Sequence, residues 1–138
     1  MKLSYQDISL AQLKKWTRLN DAKVRQEENI FLAEGVKVVE ELLASNWEVN
    51  ALLIMPDKVK YWEKLPAKAV NKFPVYQLSR SQWQKIGQDR EPEGIMAVVR
   101  IKKPSSLSGA IYRTNGNFLI LHEINNPRNL GALMRSAH

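Results

Sequence analysis

The sequence predicts a three-layer α/β domain, with helices on both faces of a central sheet, followed by the beginning of a second α/β domain. Apolar runs of strand length alternate with segments that repeat apolar residues at helical spacing, which is typical of α/β folds. A stretch rich in Ser, Gly and Asn separates residues 1–103 from residues 117–138. With 138 residues, 44% of them hydrophobic, the chain can bury one core of ordinary size.

The elements of the first domain follow from local signals. Ser9 with Gln12, and Ser79 with Gln82, have the capping-box spacing that marks the first turn of a helix. Strands are predicted where apolar runs end at polar or turn-forming residues. The predicted strands cover residues 30–33, 49–55, 74–76 and 95–99, the predicted helices begin near Ser9, Gly35, Asp57 and Ser79, and residues 104–116 are predicted to be a linker.

Aromatic residues in this domain point to packing. The four tryptophans fall at apolar positions in or beside helices, so we expect core or helix-packing roles in preference to stacking on bases. They are Trp16, Trp47, Trp62 and Trp83.

Charge is distributed unevenly along the chain, whose formal net charge is +7. Basic residues outnumber acidic ones by six to two in residues 1–25, by eleven to four in residues 58–104 and by three to one in residues 105–138. Residues 26–57 are the acidic exception, with one basic and seven acidic residues. This pattern predicts a positive face able to meet phosphates and an acidic face turned away from them. A solvated lysine surface would give the same pattern.

Composition also excludes several classes of protein. No stretch is long and apolar enough to cross a membrane, and no apolar signal region follows Met1. The absence of cysteine fits a reducing cytoplasm and excludes a thiolate zinc site. We therefore expect a cytoplasmic protein without membrane or metal partners.

The most specific motif lies near the end of the chain. The apolar run Phe118–Leu121 predicts a strand buried on both faces, and the segment Asn125–Ala137 behind it predicts a loop and then a helix capped by Asn129. Gly131 and Arg135 are four residues apart, hence on one helix face. Because helical side chains lean toward the N-terminus, Arg135 can reach over Gly131 toward a position suited to a phosphate.

This pattern, N-P-x-N-x-G-x-x-x-R-S-A after a buried strand, resembles the first of three motifs of the SpoU family, also called the TrmH family, of RNA ribose 2'-O-methyltransferases in the SPOUT superfamily. Upstream, Phe31–Leu43 and Glu91–Arg100 resemble the N-terminal RNA-binding domain that these enzymes often carry. The resemblance implies a knotted α/β catalytic domain, a homodimer, and methyl transfer from S-adenosylmethionine to a ribose 2'-OH of rRNA or tRNA.

The resemblance also implies that residues 117–138 are only the start of the catalytic domain. In the family, two later motifs form the cofactor pocket, so no cofactor-binding residue is expected in this sequence. We therefore expect a fragment of a longer enzyme that is inactive by itself.

Site residues follow from the resemblance and from position. Arg135 matches the catalytic arginine of the family, and Asn129 matches the motif asparagine near it. A guanidinium stays protonated at neutral pH, so we expect Arg135 to position a phosphate or the ribose. The expected RNA contacts are basic residues placed in loops beside strand ends or within the motif, namely Lys23, Arg25, Arg90 and Arg128.

The residues alone also allow two other functions. One is a stand-alone RNA-binding α/β module without catalytic activity. The other is an α/β domain that binds a small ligand and no RNA. Two further motifs downstream would separate the enzyme from both alternatives.

Overall fold

The computed structural model describes residues 5–61, 72–103 and 118–137, and the chain divides into two units, Met1–Lys102 and Lys103–His138. A five-stranded mixed sheet forms the centre of the first unit. The strand order is β1-β4-β3-β5-β2. β1, β4 and β3 run parallel, while β5 is antiparallel to both of its neighbours, β3 and β2. The strands are β1 (Gln6–Asp7), β2 (Ile30–Glu34), β3 (Val49–Ile54), β4 (Val75–Gln77) and β5 (Ile95–Arg100).

The helices of this unit begin where the sequence places caps. Both predicted capping boxes are present, with Ser9 before α1 and Ser79 before α4. The helices are α1 (Leu10–Thr17), α2 (Ala22–Glu28), α3 (Val36–Ala44) and α4 (Arg80–Ile86), with short 3₁₀ helices at Arg18–Asn20 and Pro56–Tyr61. The 3₁₀ helix Pro56–Tyr61 occupies the start of the helix predicted from Asp57. The remainder of that helix, with Trp62, lies outside the described residues, as does the predicted linker 104–116.

Helix α2 is a correction to the sequence prediction, which placed its residues in a loop. Asp21 accepts a hydrogen bond from the Lys23 backbone N–H at 2.7 Å and so caps the helix. Asn29 ends the helix in the left-handed conformation, with φ of 55°. The sequence of this helix shows little apolar periodicity, because Val24 is the residue through which it packs against the core. The two-residue strand β1 was also not predicted.

Two apolar clusters cover the two faces of the sheet. One contains Trp16 of α1, Trp83 of α4 and inward residues of β3 and β5 such as Leu53 and Val98. The other, on the opposite face, contains Val39 of α3 with alternate residues of the same strands, and Trp47 packs against it. Helices therefore lie on both faces, which confirms the three-layer prediction and the packing roles of these tryptophans.

Two glycines shape the turns at one end of β2 and β5. Gly35 follows β2 with φ of 112°, and Gly94 precedes β5 with φ of 80°. The Gly94 carbonyl accepts a hydrogen bond from the Met55 N–H at 2.9 Å, which joins this turn to the end of β3. A Cβ atom on Gly94 would clash with the Cβ of Lys58. Both backbone angle and space thus require glycine at position 94.

The second unit, assigned to Lys103–His138, contains helix α5 (Pro127–Ala137). Its helix begins earlier than predicted. Asn126, and not Asn129, precedes the first helical residue, and the Asn126 side chain accepts a hydrogen bond from the Arg128 N–H at 2.9 Å. Asparagine before the helix and proline at its first position are both favoured, so Asn129 falls inside the helix.

The predicted buried strand Phe118–Leu121 is wrong for the described part of this unit. These residues form no strand, and the side chain of Ile120 is 89% exposed. A strand needs a neighbouring strand for its backbone hydrogen bonds, and residues 118–137 supply none. In residues 5–61, 72–103 and 118–137, no helix is long and apolar enough to span a bilayer.

We predict that Gly94→Ala lowers the free energy of unfolding by about 2–4 kcal/mol, because alanine tolerates neither the positive φ nor the contact with Lys58. Urea unfolding followed by circular dichroism measures this change. The Lys58→Gly change removes the contact but leaves the backbone strain.

The Lys58→Gly/Gly94→Ala double variant should therefore recover part of the loss when it is compared with the two single variants. Wild-type stability for Gly94→Ala would contradict the conformation described for this turn.

Candidate nucleic-acid interface

The loop between α4 and β5, residues 87–94, is fixed to the end of β2 by one carboxylate. Glu34 Oε1 accepts a hydrogen bond from the Trp83 indole N–H at 3.0 Å, and Oε2 accepts one from the Gln88 backbone N–H at 3.1 Å. β2 and β5 are antiparallel neighbours, so the end of β2 lies beside the start of β5. Glu34 therefore joins the loop, the sheet and α4.

A second carboxylate fixes the other end of this loop. Glu93 Oε2 accepts a hydrogen bond from the Val36 N–H, the first of α3, at 2.7 Å. Gly35 occupies the cap position and has no side chain to do this, so Glu93 supplies the capping oxygen from the neighbouring loop. Arg90 lies between the two attachments, and its side chain is exposed. The loop thus presents Arg90 from a backbone that is held at both ends.

Arg25 has a structural role that the sequence did not indicate. Its Nη1 donates hydrogen bonds to the carbonyl oxygens of Leu19 and Asn20, at 2.8 and 3.0 Å. These carbonyls end the 3₁₀ helix after α1, where backbone acceptors have no partner within the helix. Arg25 therefore ties α2 to this turn, with its side chain half-buried.

Lys23 and Arg90 leave their charged groups accessible to a ligand. The Lys23 ammonium lies 3.9 Å from the Glu27 carboxylate, and both side chains are more than half exposed, so this pair is weak. Arg90 lies in a loop, as the sequence predicted, whereas Lys23 and Arg25 lie in α2.

Two acidic residues of segment 26–57 form ion pairs with basic residues of other segments. Glu28 pairs with Lys15 at 2.7 Å, and Glu48 pairs with Arg100 at 2.9 Å. Both pairs join basic and acidic segments of the chain.

Helix α5 places the motif residues Gly131 and Arg135 on one face, together with Arg128. A Cβ atom on Gly131 would lie 4.0 Å from Arg135 Nη1, so the guanidinium does reach back over this glycine. Arg128 is seven residues before Arg135, which puts the two arginines within about 20° around the helix axis. Leu130 and Leu133 lie on the opposite side. Asn129 lies about 120° from Arg135 around the helix axis, because six residues separate them at about 100° per residue. The two predicted catalytic residues therefore point in different directions.

The described residues contain no group of His, Cys, Asp and Glu side chains that could hold a metal ion. The candidate contacts in the described part of the chain include the exposed basic side chains of Lys23 and Arg90 in the first unit and of Arg128 and Arg135 in the second, and such side chains commonly contact RNA phosphates.

Comparison with known proteins identifies relatives of both units. Residues 11–97 match the family model of the MRM3-like substrate-binding domain. The chain is 26% identical over 125 residues to the 23S rRNA (guanosine(2553)-2'-O)-methyltransferase RlmP of Bacillus subtilis (strain 168), covering 91% of this chain and 46% of that protein. It thus spans about half the length of this relative.

Solved structures show the same fold. The crystal structure of an RNA 2'-O ribose methyltransferase aligns with a TM-score of 0.64 at 21% identity, covering 98% of this chain and 51% of that one. The SpoU methyltransferase AviRb from Streptomyces viridochromogenes, in complex with AdoMet, aligns with a TM-score of 0.61 at 18% identity, covering 79% of this chain and 39% of that one.

We predict that Arg25→Ala lowers the free energy of unfolding by about 1–3 kcal/mol, because two backbone carbonyls lose their charged donor. Lys23→Ala, the matched loss of one positive charge from the same helix, should change it by less than about 0.5 kcal/mol. Urea unfolding followed by tryptophan fluorescence measures both. Equal effects of the two changes would show that the hydrogen bonds of Arg25 do not stabilise the fold.

Proposed function

The chain belongs to the family of the MRM3-like substrate-binding domains, and we propose that it is the RNA-binding part, with the first catalytic motif, of an S-adenosylmethionine-dependent RNA ribose 2'-O-methyltransferase. One observation carries the proposal. The same chain combines this substrate-binding domain with a helix on which Arg135 lies over Gly131, at the residue spacing of the first SpoU motif. In this proposal the domains are residues 1–103 and residues 117–138, joined by a linker at 104–116.

We propose rRNA as the substrate, in preference to tRNA. The relative from Bacillus subtilis is named for methylation of 23S rRNA at a guanosine ribose. The match covers 91% of this chain and therefore includes most or all of the substrate-binding domain at residues 11–97. S-adenosylmethionine is the proposed methyl donor, since the SpoU relative AviRb was solved with AdoMet.

The proposed RNA contacts in the first unit are Lys23, Arg25 and Arg90. Lys23 and Arg90 are exposed and would meet phosphates, which supply affinity without reading sequence. Arg25 already donates to two carbonyls through Nη1, so its other guanidinium nitrogens would make the contact.

The proposed chemical role of helix α5 is to orient the RNA ribose. S-adenosylmethionine supplies an electrophilic methyl group when bound, and the 2'-OH must then be held in line with it. Arg128 and Arg135 share a face, so both could grip one phosphate or two adjacent ones. Asn129 points in another direction, and we propose that it contacts a different group of the nucleotide. A guanidinium remains protonated at neutral pH, so we do not assign proton removal to Arg135.

The full enzyme would complete this arrangement. We propose that the remaining catalytic domain covers the apolar side of α5, where Met134 is 60% exposed, and supplies the cofactor pocket. We also propose that this domain forms a homodimer, and that the protein works in the cytoplasm, which suits a chain without cysteine.

We predict that the chain binds a stem–loop fragment of 23S rRNA with an affinity that falls steeply between about 50 and 200 mM salt. Lys23→Ala and Arg90→Ala should each reduce the slope of log affinity against log salt by about 0.7–0.9, since each removes one phosphate contact. Filter retention measures these slopes.

Lys72→Ala is the matched control for this experiment, because Lys72 is also exposed but lies just before β4, at the opposite end of the sheet from the loop that carries Arg90. Its slope should equal that of the wild type. Salt-independent binding, or no binding, would overturn the proposed RNA contacts.

We predict that Arg135→Ala in the full-length enzyme lowers methyl transfer to rRNA by about 100-fold or more, because the ribose is no longer held in line. Arg135→Lys should rescue little, since an ammonium lacks the planar two-point grip of a guanidinium. Incorporation of labelled methyl groups gives the rate, and calorimetry gives the donor affinity, which should change by only a few-fold.

Near wild-type turnover of Arg135→Ala would remove this residue from the mechanism. Absence of any methyl transfer by the wild-type enzyme, with RNA binding intact, would favour the alternative of a stand-alone RNA-binding module.

We predict that the full-length enzyme sediments as a dimer and that residues 1–138 alone sediment as a monomer. Sedimentation velocity at matched concentrations decides this. A tight dimer of residues 1–138 would place the interface in the substrate-binding part.

A further inference from the structure

A cavity of about 400 Å³ lies beside the edge strand β2, on the side of the sheet that carries α1 and α4. Its apolar lining comes mainly from the sheet and the end of α4, including Leu32, Ile86 and Met96. Its polar lining comes from the turn after α1 and the segment after α4, including Asn20, Gln88 and Asp89. The volume falls within the range of small-molecule sites, about 300–1,000 Å³.

Two of the charged side chains in the cavity wall, Arg25 and Glu34, have partners inside the protein, whereas the third, Asp89, is exposed. Arg25 donates to two backbone carbonyls, and both oxygens of Glu34 accept hydrogen bonds, from Trp83 and Gln88. These hydrogen bonds hold both side chains in position before any ligand arrives. A wall of this kind suits an uncharged ring with polar edges better than a free ion.

Two side-chain amides remain available to such a ring. Gln88 Nε2 donates to Asn20 Oδ1 at 3.3 Å, a long hydrogen bond between two exposed groups, so a ligand can replace it at small cost. Each amide offers both a donor and an acceptor. That combination matches the edges of nucleobases, which proteins read in this way when the base is unstacked.

Three basic residues are sequence neighbours of residues that line the cavity. Arg18 precedes the lining residue Leu19, Lys85 precedes Ile86, and Arg90 follows Asp89, and all three basic side chains are exposed. A nucleotide whose base enters the cavity would keep its phosphate outside, where these side chains can meet it.

From these observations we propose that the cavity binds one unstacked nucleobase of the substrate RNA, with Asn20 and Gln88 hydrogen-bonding to the edge of the base. This inference rests on the proposed function, because it assumes that the first unit binds RNA. The RNA contacts proposed above for this unit reach only phosphates. The cavity would add a contact that recognises a base.

Titration of the 138-residue chain with AMP, GMP, CMP and UMP, followed by NMR, tests the proposal. At least one nucleotide should shift the Gln88 side-chain amide and the Trp83 indole N–H, whose partner Glu34 lines the cavity. Ribose 5-phosphate, which has the phosphate and no base, should leave both signals in place. Equal shifts with ribose 5-phosphate, or no shift with any nucleotide, would overturn the proposal.

Variants then connect the cavity to RNA binding. Asn20→Ala and Gln88→Ala should each weaken binding of the preferred nucleotide by about three- to tenfold, the loss of one hydrogen bond. Gln6→Ala is the matched control, because Gln6 is exposed on β1 at the opposite edge of the sheet. A loss with Gln6→Ala as large as that with Gln88→Ala would also overturn the proposal.

Binding of the 23S rRNA stem–loop separates this inference from the proposed function. Salt-dependent RNA binding by a chain that takes up no nucleotide would reject the base pocket and leave the proposed function standing. If the chain binds a nucleotide in the cavity but does not bind RNA, the proposed function is rejected. The base that the cavity binds would then not come from RNA.

Discussion

The burial of β3 and β5 on both faces is the constraint on which the first unit depends. Residues 51–55 and 95–99 are almost without solvent contact, and their side chains alternate between the two apolar clusters. Apolar strands of this kind require a layer of helices on each side. The helices in turn fix where the connecting loops emerge, and the basic and amide side chains of the candidate interface lie on or beside those loops.

Carboxylates hold the candidate interface together, although the proposed ligand is itself an anion. Glu34 and Glu93 fasten the loop that carries Arg90, and each carboxylate accepts hydrogen bonds from N–H groups of the protein. Their hydrogen bonds keep the loop backbone in place, which lowers the entropy lost when a basic side chain binds a phosphate. Acidic residues near a nucleic-acid site can thus assist binding through the geometry of their neighbours.

The sequence predicted the elements whose signals are local and missed those that depend on contacts. The sequence predicted the capping boxes at Ser9 and Ser79 and the cores of the four longer strands. In each case the capping residues or the apolar run lie within a few residues of one another in the sequence. Helix α2 was missed because it buries little. The role of Arg25 could not be read, since its carbonyl partners are defined only by the fold. In α5, helical spacing was sufficient to place Arg135 over Gly131, and the same spacing, applied to Arg128, would have found the shared face.

The position of β5 in the sheet has a consequence for synthesis of the protein. It is the last of the five strands along the chain, yet it lies between β3 and β2, and it is the strand with which β2 pairs. A nascent chain emerging from the ribosome therefore exposes the apolar residues of β2 until residue 100 has left the exit tunnel. During that interval the unpaired strand is open to wrong association, and closure of the sheet must await this late, long-range pairing.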